Sequence, residues 1–240
     1  GIETSELVKL QSVLATGNRG VTVAVFESRQ IIGVWSGLFD AARGVAVDVG
    51  STTVAAHLCD LATGDVLSSA SVMNPQIPFG EDLMSRVSYI MMHPEGAEAM
   101  STAIQAALSK LFAELTEQLG ETTDNILEIS LVANPIMHHL VLGINPINLG
   151  GAPFALTLDE AVTLKASDLG LNAHLQARWT TQWRGDQQWD AAEVWTIGAA
   201  SSPADATADS WMPASLTALP MRKNGSLMRS QFLKTLDSKT

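Results

Sequence analysis

Cysteine is almost missing from this chain: Cys59 is the one thiol in 240 residues. A lone cysteine excludes an intrachain disulfide and a four-cysteine metal or iron–sulfur site. Basic residues are also few, 14 against 25 acidic ones, and the net charge is −11. A chain that acidic repels nucleic-acid backbones and anionic lipid, so neither is an expected partner. A nucleotide remains compatible, because backbone N–H groups and Mg²⁺ receive phosphates without a basic patch. No uninterrupted apolar run approaches the roughly 18 residues of a membrane span, so an integral membrane protein is not expected, and the expected location is cytoplasmic. Neither a starting Met nor a signal-like apolar block precedes Gly1, so a trimmed or incomplete reading is expected. What is present is globular in character. Hydrophobic residues make up 46% and mean hydropathy is +0.17, enough for one large domain or two small ones.

Composition divides the chain in three. Residues 1–43 hold two expected strands, Val21–Phe26 and Ile31–Trp35, too few for a core, and read as the remnant of a linker domain. Residues 44–174 are orderly α/β. Gly44–Val49, Thr52–Asp60 and Val66–Met73 are strands joined by tight turns, with Ala62-Thr63-Gly64-Asp65 as one of them, and predict an antiparallel meander. A helix is expected over Glu81–Met92, with Met84, Val87 and Met91 on one face. A longer one is expected over Glu95–Leu119, where Met100, Ile104, Leu108, Leu111 and Leu115 form the stripe. Ile126–Ala133 follows as a buried-type strand and Pro135–Leu142 as a short helix. The fold class is therefore α/β with the order β-β-β-α-β-α.

The chemistry-bearing string is Gly44-Val45-Ala46-Val47-Asp48-Val49-Gly50-Ser51-Thr52-Thr53-Val54. An aspartate near the end of a buried strand, a glycine turn and hydroxyl residues opening the next strand would let the N–H groups of about Gly50 to Thr53 converge into an anion-binding concavity. A Cβ at the glycine would keep a phosphate off the backbone. Ser51 and Thr52 add hydroxyl donors, and Asp48 could hold a Mg²⁺-bound water beside the same phosphate. The plain alternative is a hairpin built from ordinary turn residues. Set in this element order, the string resembles the nucleotide-binding half of the actin, hexokinase and heat-shock-protein ATPases, a ribonuclease H-like subdomain.

Further strings narrow the resemblance: Asn74-Pro75-Gln76, Gly80-Glu81-Asp82 with Ser85-Arg86-Val87-Ser88-Tyr89, and Asn134-Pro135-Ile136-Met137-His138-His139-Leu140 with Leu142-Gly143. Leu149-Gly150-Gly151-Ala152-Pro153-Phe154 and Lys165-Ala166-Ser167-Asp168-Leu169-Gly170 follow in register. Together they resemble the C-terminal ATPase region of the reductive activators of corrinoid proteins, over about residues 44–174. The resemblance implies a family with a plant-type [2Fe–2S] domain, a linker and an ATPase domain that docks a corrinoid protein of a methyltransferase system. ATP then helps drive an electron from the cluster to Co(II). It implies that Asp48, Gly50, Ser51, Thr52 and Thr53 form the first phosphate motif, with Asp48 as the catalytic and Mg²⁺-associated candidate, and that Asn134 faces the nucleotide. The cluster's ligands are absent from this chain, and so is the family's second phosphate motif, Asp-x-Gly-Thr-Asn. Two readings stand beside this one: another kinase of the actin-like superfamily, and a non-catalytic nucleotide-binding or interaction module.

Elsewhere the bland readings lead. His138 and His139 are adjacent, about 100° apart on a helix, which suits packing better than one metal ion. Glu81 and Asp82 suit a helix N-terminus better than acid–base work. Met84, Met91, Met92 and Met100 are expected in the core, with a partner-docking face as the alternative, and Cys59 is expected as a buried small hydrophobe. Residues 175–240 carry Trp179, Trp183, Trp189, Trp195 and Trp211 with no helical or strand period. A Trp-rich binding segment, a divergent insertion and translation in a shifted reading frame all account for this tail. The last requires Asp-x-Gly-Thr-Asn and a continuing α/β pattern in another frame, which sequencing the coding DNA across codons 170–240 would reveal.

Overall fold

The computed structural model describes residues 1–158, 162–182 and 233–236. The chain divides into two compact units, one of Gly1–Arg43, Cys59–Val66 and Gln188–Thr240, the other of Gly44–Leu58 and Leu67–Gln187.

The first unit opens with α1 (Thr4–Thr16), followed by β1 (Val21–Phe26) and β2 (Gln30–Ser36). The two strands pair antiparallel, and β9 (Leu233–Leu236) pairs antiparallel on the other side of β1. The strands were legible in the sequence; α1 was not. Its Leu7 and Val8 are exposed, while Leu10, Val13 and Leu14 are only half-covered against Val21, Val23 and Val34. An apolar stripe that weak gives little periodic signal. One polar contact compensates. Glu6 on α1 is buried, and its carboxylate accepts from the Val34 N–H (3.2 Å) and from Lys9 Nζ (2.9 Å). At the turn of Ala62–Asp65, Asp60 Oδ1 accepts from the N–H groups of Ala62 and Thr63, and Asp60 Oδ2 pairs with Arg43 at 2.8 Å.

The second unit is built on a six-stranded mixed sheet. Its strands are β3 (Arg43–Val49), β4 (Thr53–Asp60), β5 (Val66–Met73), β6 (Ile126–Ala133), β7 (Thr163–Lys165) and β8 (Arg178–Gln182). Their spatial order is β5-β4-β3-β6-β8-β7. Neighbours β3–β4 and β4–β5 are joined by connections too short for a crossover, so they run antiparallel. β6 and β8 are parallel, and β7 is antiparallel to β8.

Between β5 and β6 the chain forms α2 (Leu83–Met92) and α3 (Gly96–Glu117), and after β6 it forms α4 (Pro135–Val141). The α3 stripe Met100, Ile104, Leu108, Leu111 and Leu115 is buried as its spacing predicts. Each such side chain gains roughly 1.5–3 kcal/mol on leaving water. Polar stitches fix its position: Ser68 Oγ on β5 donates to the Leu115 carbonyl (2.9 Å), and Gln105 Nε2 donates to the Val141 carbonyl on α4 (3.0 Å).

Helix α2 corrects the expected core. It buries Arg86, Val87 and Ile90, and leaves Met84, Met91 and Met92 at 48%, 65% and 71% exposure. Of the four methionines expected in the core, only Met100 is there. The helix is rotated so that Arg86 points inward, which turns Met84 and Met91 outward. Cys59 is buried as expected, and burial together with neighbouring Asp60 pushes its thiol up to about 12.

At the other end, the sheet continues past residue 174 into β8, where Trp179 is fully buried. Arg178-Trp179-Thr180-Thr181-Gln182 has one large apolar residue among polar ones, so its alternation was invisible. The readings of the tail that rest on Trp183, Trp189, Trp195 and Trp211 lie outside the described residues. Replacing Trp179 by Ala is expected to cost about 3–5 kcal/mol in urea unfolding. A cost near that of a surface substitution, about 0.5 kcal/mol or less, would place Trp179 outside the core.

Candidate functional site

The site begins with the pleat of β3. Val45, Val47 and Val49 are buried on one face, so Asp48 lies on the other, near the strand's C-terminal end. Asp48 is exposed to solvent, yet protein on its flanks desolvates it enough to raise its pKa above the ordinary carboxylate value. Its carboxylate makes no hydrogen bond among the described residues. A carboxylate in that position gains from a nearby cation or from a proton donor.

Gly50 closes the turn, its N–H donating to the Thr53 carbonyl at 3.0 Å. A Cβ on Gly50 would stand 2.7 Å from that same carbonyl oxygen, so the close approach requires glycine. The next three carbonyls are then held from one side. Asn74 Nδ2 donates to the Gly50 carbonyl (2.7 Å), Arg86 Nη2 to the Ser51 carbonyl, and the Asn74 N–H to the Thr52 carbonyl (2.7 Å).

This has a direct consequence for the donors. In a trans peptide the C=O of one residue and the N–H of the next point in opposite directions. The one cis bond among the described residues is Ala152–Pro153, well away from the loop. Fastening the carbonyls of Gly50, Ser51 and Thr52 toward Asn74 and Arg86 therefore turns the N–H groups of Ser51, Thr52 and Thr53 the other way. The N–H groups of Ser51 and Thr52 and the hydroxyls of Ser51, Thr52 and Thr53 make no hydrogen bond among the described residues. The sequence suggests N–H groups from Gly50 to Thr53; Gly50's own is engaged in closing the turn, and the outward set starts at Ser51.

Arg86 is the part that sequence reasoning missed. Its side chain is fully buried, and no carboxylate pairs with it among the described residues. Nε donates to the Gly80 carbonyl (2.9 Å), Nη1 to Gln76 Oε1 (3.3 Å) and to Met137 Sδ (3.1 Å), and Nη2 to Ser51. Burial lowers its pKa, and the charge of Asp82 opposes that only through space. Asp82 itself caps α2: its Oδ1 accepts from the Ser85 N–H at 2.7 Å, and that bond holds its pKa low. One signal was available in the sequence. Arg86 sits between Leu83, Val87 and Ile90, where a helix facing the core should carry an apolar residue.

Asn134 reaches the same neighbourhood. It is the N-cap of α4, with Oδ1 accepting from the Met137 N–H at 3.0 Å. Because the cap needs an acceptor, its Nδ2 faces away and makes no bond among the described residues. Met137 Sδ lies 3.6 Å from Asn74 Nδ2 and also receives Arg86 Nη1. The loop after β3 and the loop after β6 are thus tied through Arg86, Asn74 and Met137. Ligands of open α/β sheets bind in such loops beyond the strands' carboxyl ends.

Comparison with known proteins follows the same residues. The RACo middle region family model matches residues 43–182, more than half of the chain, and the chain belongs to that family. A corrinoid activation enzyme, RamQ of Eubacterium limosum, is 34% identical over 128 residues, 53% of this chain and 22% of that protein. The solved structure of a reductive activator for a corrinoid, iron–sulfur protein superposes with a TM-score of 0.67 at 26% identity. That superposition covers 76% of this chain and 30% of the other. The chain therefore spans less than a third of the length of either relative.

The adjacent histidines serve packing. His139 Nδ1–H donates to the Pro135 carbonyl (2.8 Å), which leaves Nε2 to accept from the Thr157 N–H (3.3 Å). Both ring nitrogens are thereby occupied by backbone, and neither is offered to a metal. Burial pushes the pKa of His138 down to about 4, with His139 adding to the effect, and burial also lowers that of His139. As pH falls below 6.5, the unfolded chain takes up protons that the folded His138 refuses until about pH 4. Stability is therefore intact above pH 6.5 and is lost across that window, by up to about 1.4 kcal/mol per pH unit for each histidine. In urea titrations at stepped pH, His138→Phe is expected to flatten this slope. An unchanged slope would show that His138 titrates normally.

Proposed function

We propose that this chain supplies the first phosphate-binding half of an ATP-dependent reductive activator of corrinoid proteins. Residues 44–174 are read as half of an actin-like, ribonuclease H-like ATPase domain, and residues 1–43 as part of the linker before it. Family membership supports the assignment, and so does the run of three antiparallel strands, helices and a further strand in one sheet. The observation that carries it is the loop itself: three consecutive carbonyls are fastened from behind, and the N–H groups of Ser51 and Thr52 make no hydrogen bond among the described residues.

The residues suit Mg²⁺ and a polyphosphate. Asp48 is a carboxylate without a hydrogen-bond partner, raised in pKa by desolvation, which a cation would relieve. It is one ligand and not a cage. Mg²⁺ is commonly held that way, keeping its waters and taking one carboxylate together with the substrate's phosphates. Bound there, the ion would neutralise phosphate charge. Ser51, Thr52 and Thr53 would position the phosphate oxygens through N–H and hydroxyl donors, and Asn134 would add its free amide N–H from the neighbouring loop. A [2Fe–2S] cluster does not suit this chain. Its one thiol is buried and pushed up to about 12, so it offers no thiolate. In the proposed reaction the cluster belongs to another part of the activator, the electron acceptor is the Co(II) corrinoid of a partner protein, and this chain contributes the nucleotide's phosphate site.

A second reading has its own support. The chain contains one phosphate loop and no Asp-x-Gly-Thr-Asn string. A single loop can hold phosphates without closing on them, which suits nucleotide binding without turnover.

Calorimetric titration of the chain with Mg-ATP is expected to give saturable binding, with Asp48→Ala weakening it at least tenfold, about 1.4 kcal/mol. Phosphate release is expected to stay near background. Binding unaffected by Asp48→Ala would remove the phosphate-site reading, and turnover comparable with an intact ATPase would remove the half-site reading.

A further inference from the structure

Arg86 presents a problem that the proposed phosphate site does not by itself solve. A guanidinium is among the largest fully buried side chains of the molecule, and its partners are two backbone carbonyls, one amide oxygen and one thioether. Buried charges are ordinarily paired with an opposite charge. The nearest candidate, Asp82, is fully exposed and committed to the N-terminus of α2. Among the described residues no carboxylate pairs directly with the positive charge at the back of the Gly50–Thr53 loop, and Asp82 acts on it only through space.

The same guanidinium touches the loop at its centre. Its Nη2 holds the Ser51 carbonyl, and the peptide that carries this carbonyl also carries the Thr52 N–H. Holding one end of that peptide plane sets the other. Asn74 holds the planes on either side, through the carbonyls of Gly50 and Thr52. Of the three anchors, Arg86 alone is charged, and it also reaches Gln76 and Gly80 on the connection after β5 and Met137 on α4. A lysine at the position has the charge but not the fork, and cannot reach these acceptors together.

We infer that Arg86 is a positioning residue for an anionic ligand: it holds the Ser51–Thr52 peptide with its N–H outward, and the ligand supplies the counter-charge its burial lacks. This rests on the phosphate-site reading given above. The ligand class that follows is a multiply charged phosphate, such as a nucleotide polyphosphate. A neutral or cationic ligand would leave the charge unanswered. The ligand need not touch Arg86, because the guanidinium acts through the loop's peptides and through a low-dielectric interior.

The test uses the whole chain with pyrophosphate and Mg-ATP as probes, and reads backbone amide NMR signals beside affinity. In Arg86→Lys the amide signals of Ser51 and Thr52 are expected to shift without ligand, and affinity for both probes to fall at least tenfold in folded protein. A merely structural role would lower the melting temperature and leave the affinity of the folded fraction for both probes unchanged. That outcome would overturn the inference and leave the phosphate site standing. Should Arg86→Lys fail to fold, the unaltered chain decides through the Arg86 Nε–H signal. It is expected to move when pyrophosphate saturates the loop, and a stationary signal would overturn the inference. If the unaltered chain binds neither probe, the phosphate-site reading fails first and the ligand half of the inference falls with it. Shifted Ser51 and Thr52 amides in Arg86→Lys would then still support the loop-setting half.

Discussion

A buried guanidinium with no carboxylate partner among the described residues organises the end of the larger sheet. Removing a guanidinium from water costs several kcal/mol unless other groups solvate it. Around Arg86 that solvation comes from the Ser51 carbonyl, the Gly80 carbonyl, Gln76 Oε1 and Met137 Sδ. These acceptors belong to the turn after β3, the connection after β5 and the first turn of α4. None can be displaced alone without leaving the charge less well solvated. Three segments distant in sequence are therefore interlocked by one side chain, and the orientation of the Ser51–Thr52 peptide follows from that interlock.

Asn74 completes the arrangement by using all of its polar atoms. Its amide and its own N–H take the carbonyls of Gly50 and Thr52, while its Oδ1 receives the Gln76 N–H at 2.9 Å. Gln76 in turn donates to the Met100 carbonyl on α3 and accepts from Arg86. Because these contacts lie within one compact unit, the outward set of N–H groups is built by this chain's own residues. On the proposed reading this separates binding from turnover: positioning a phosphate would need the loop, whereas hydrolysis would also need groups on the far side of the nucleotide.

Legibility in the sequence tracked the physical origin of each feature. The stripe from Met100 to Leu115 and the strands of β3, β4 and β6 are driven by apolar burial, which leaves a period in the sequence. Gly50 was legible because its residue type is demanded locally, by the approach of the Thr53 carbonyl. Features held by a single anchoring side chain left no period. Helix α1 is anchored by buried Glu6 against the Val34 N–H, and its apolar face is only half-covered. Strand β8 is anchored by Trp179 among polar neighbours. Arg86 was harder still, because a lone arginine on a helix is ordinarily a surface residue, and its acceptors lie 10 to 51 residues away apart from Gly80. The same omission caused the misplaced methionines. Once Arg86 is counted among the inward residues of α2, the buried face becomes Arg86, Val87 and Ile90, and Met84 and Met91 fall outside it.

The net charge of −11 would by itself argue against an anionic ligand. That argument weakens with distance and with solvent. Exposed carboxylates act through water, where their influence fades over about 8 Å at physiological ionic strength. Arg86 acts from within the protein, directly behind the peptides that would meet the ligand, where screening is much weaker. The N–H groups of Ser51 and Thr52 act at contact distance and carry no desolvation penalty for a counter-ion. Asp48 is a negative group beside the loop, and a divalent cation bridging it to a phosphate would reverse its sign of action. A strongly acidic chain can therefore hold a local anion site, provided that the positive charge is buried and the negative charge is exposed. Arg86 and the surface carboxylates are distributed in that way.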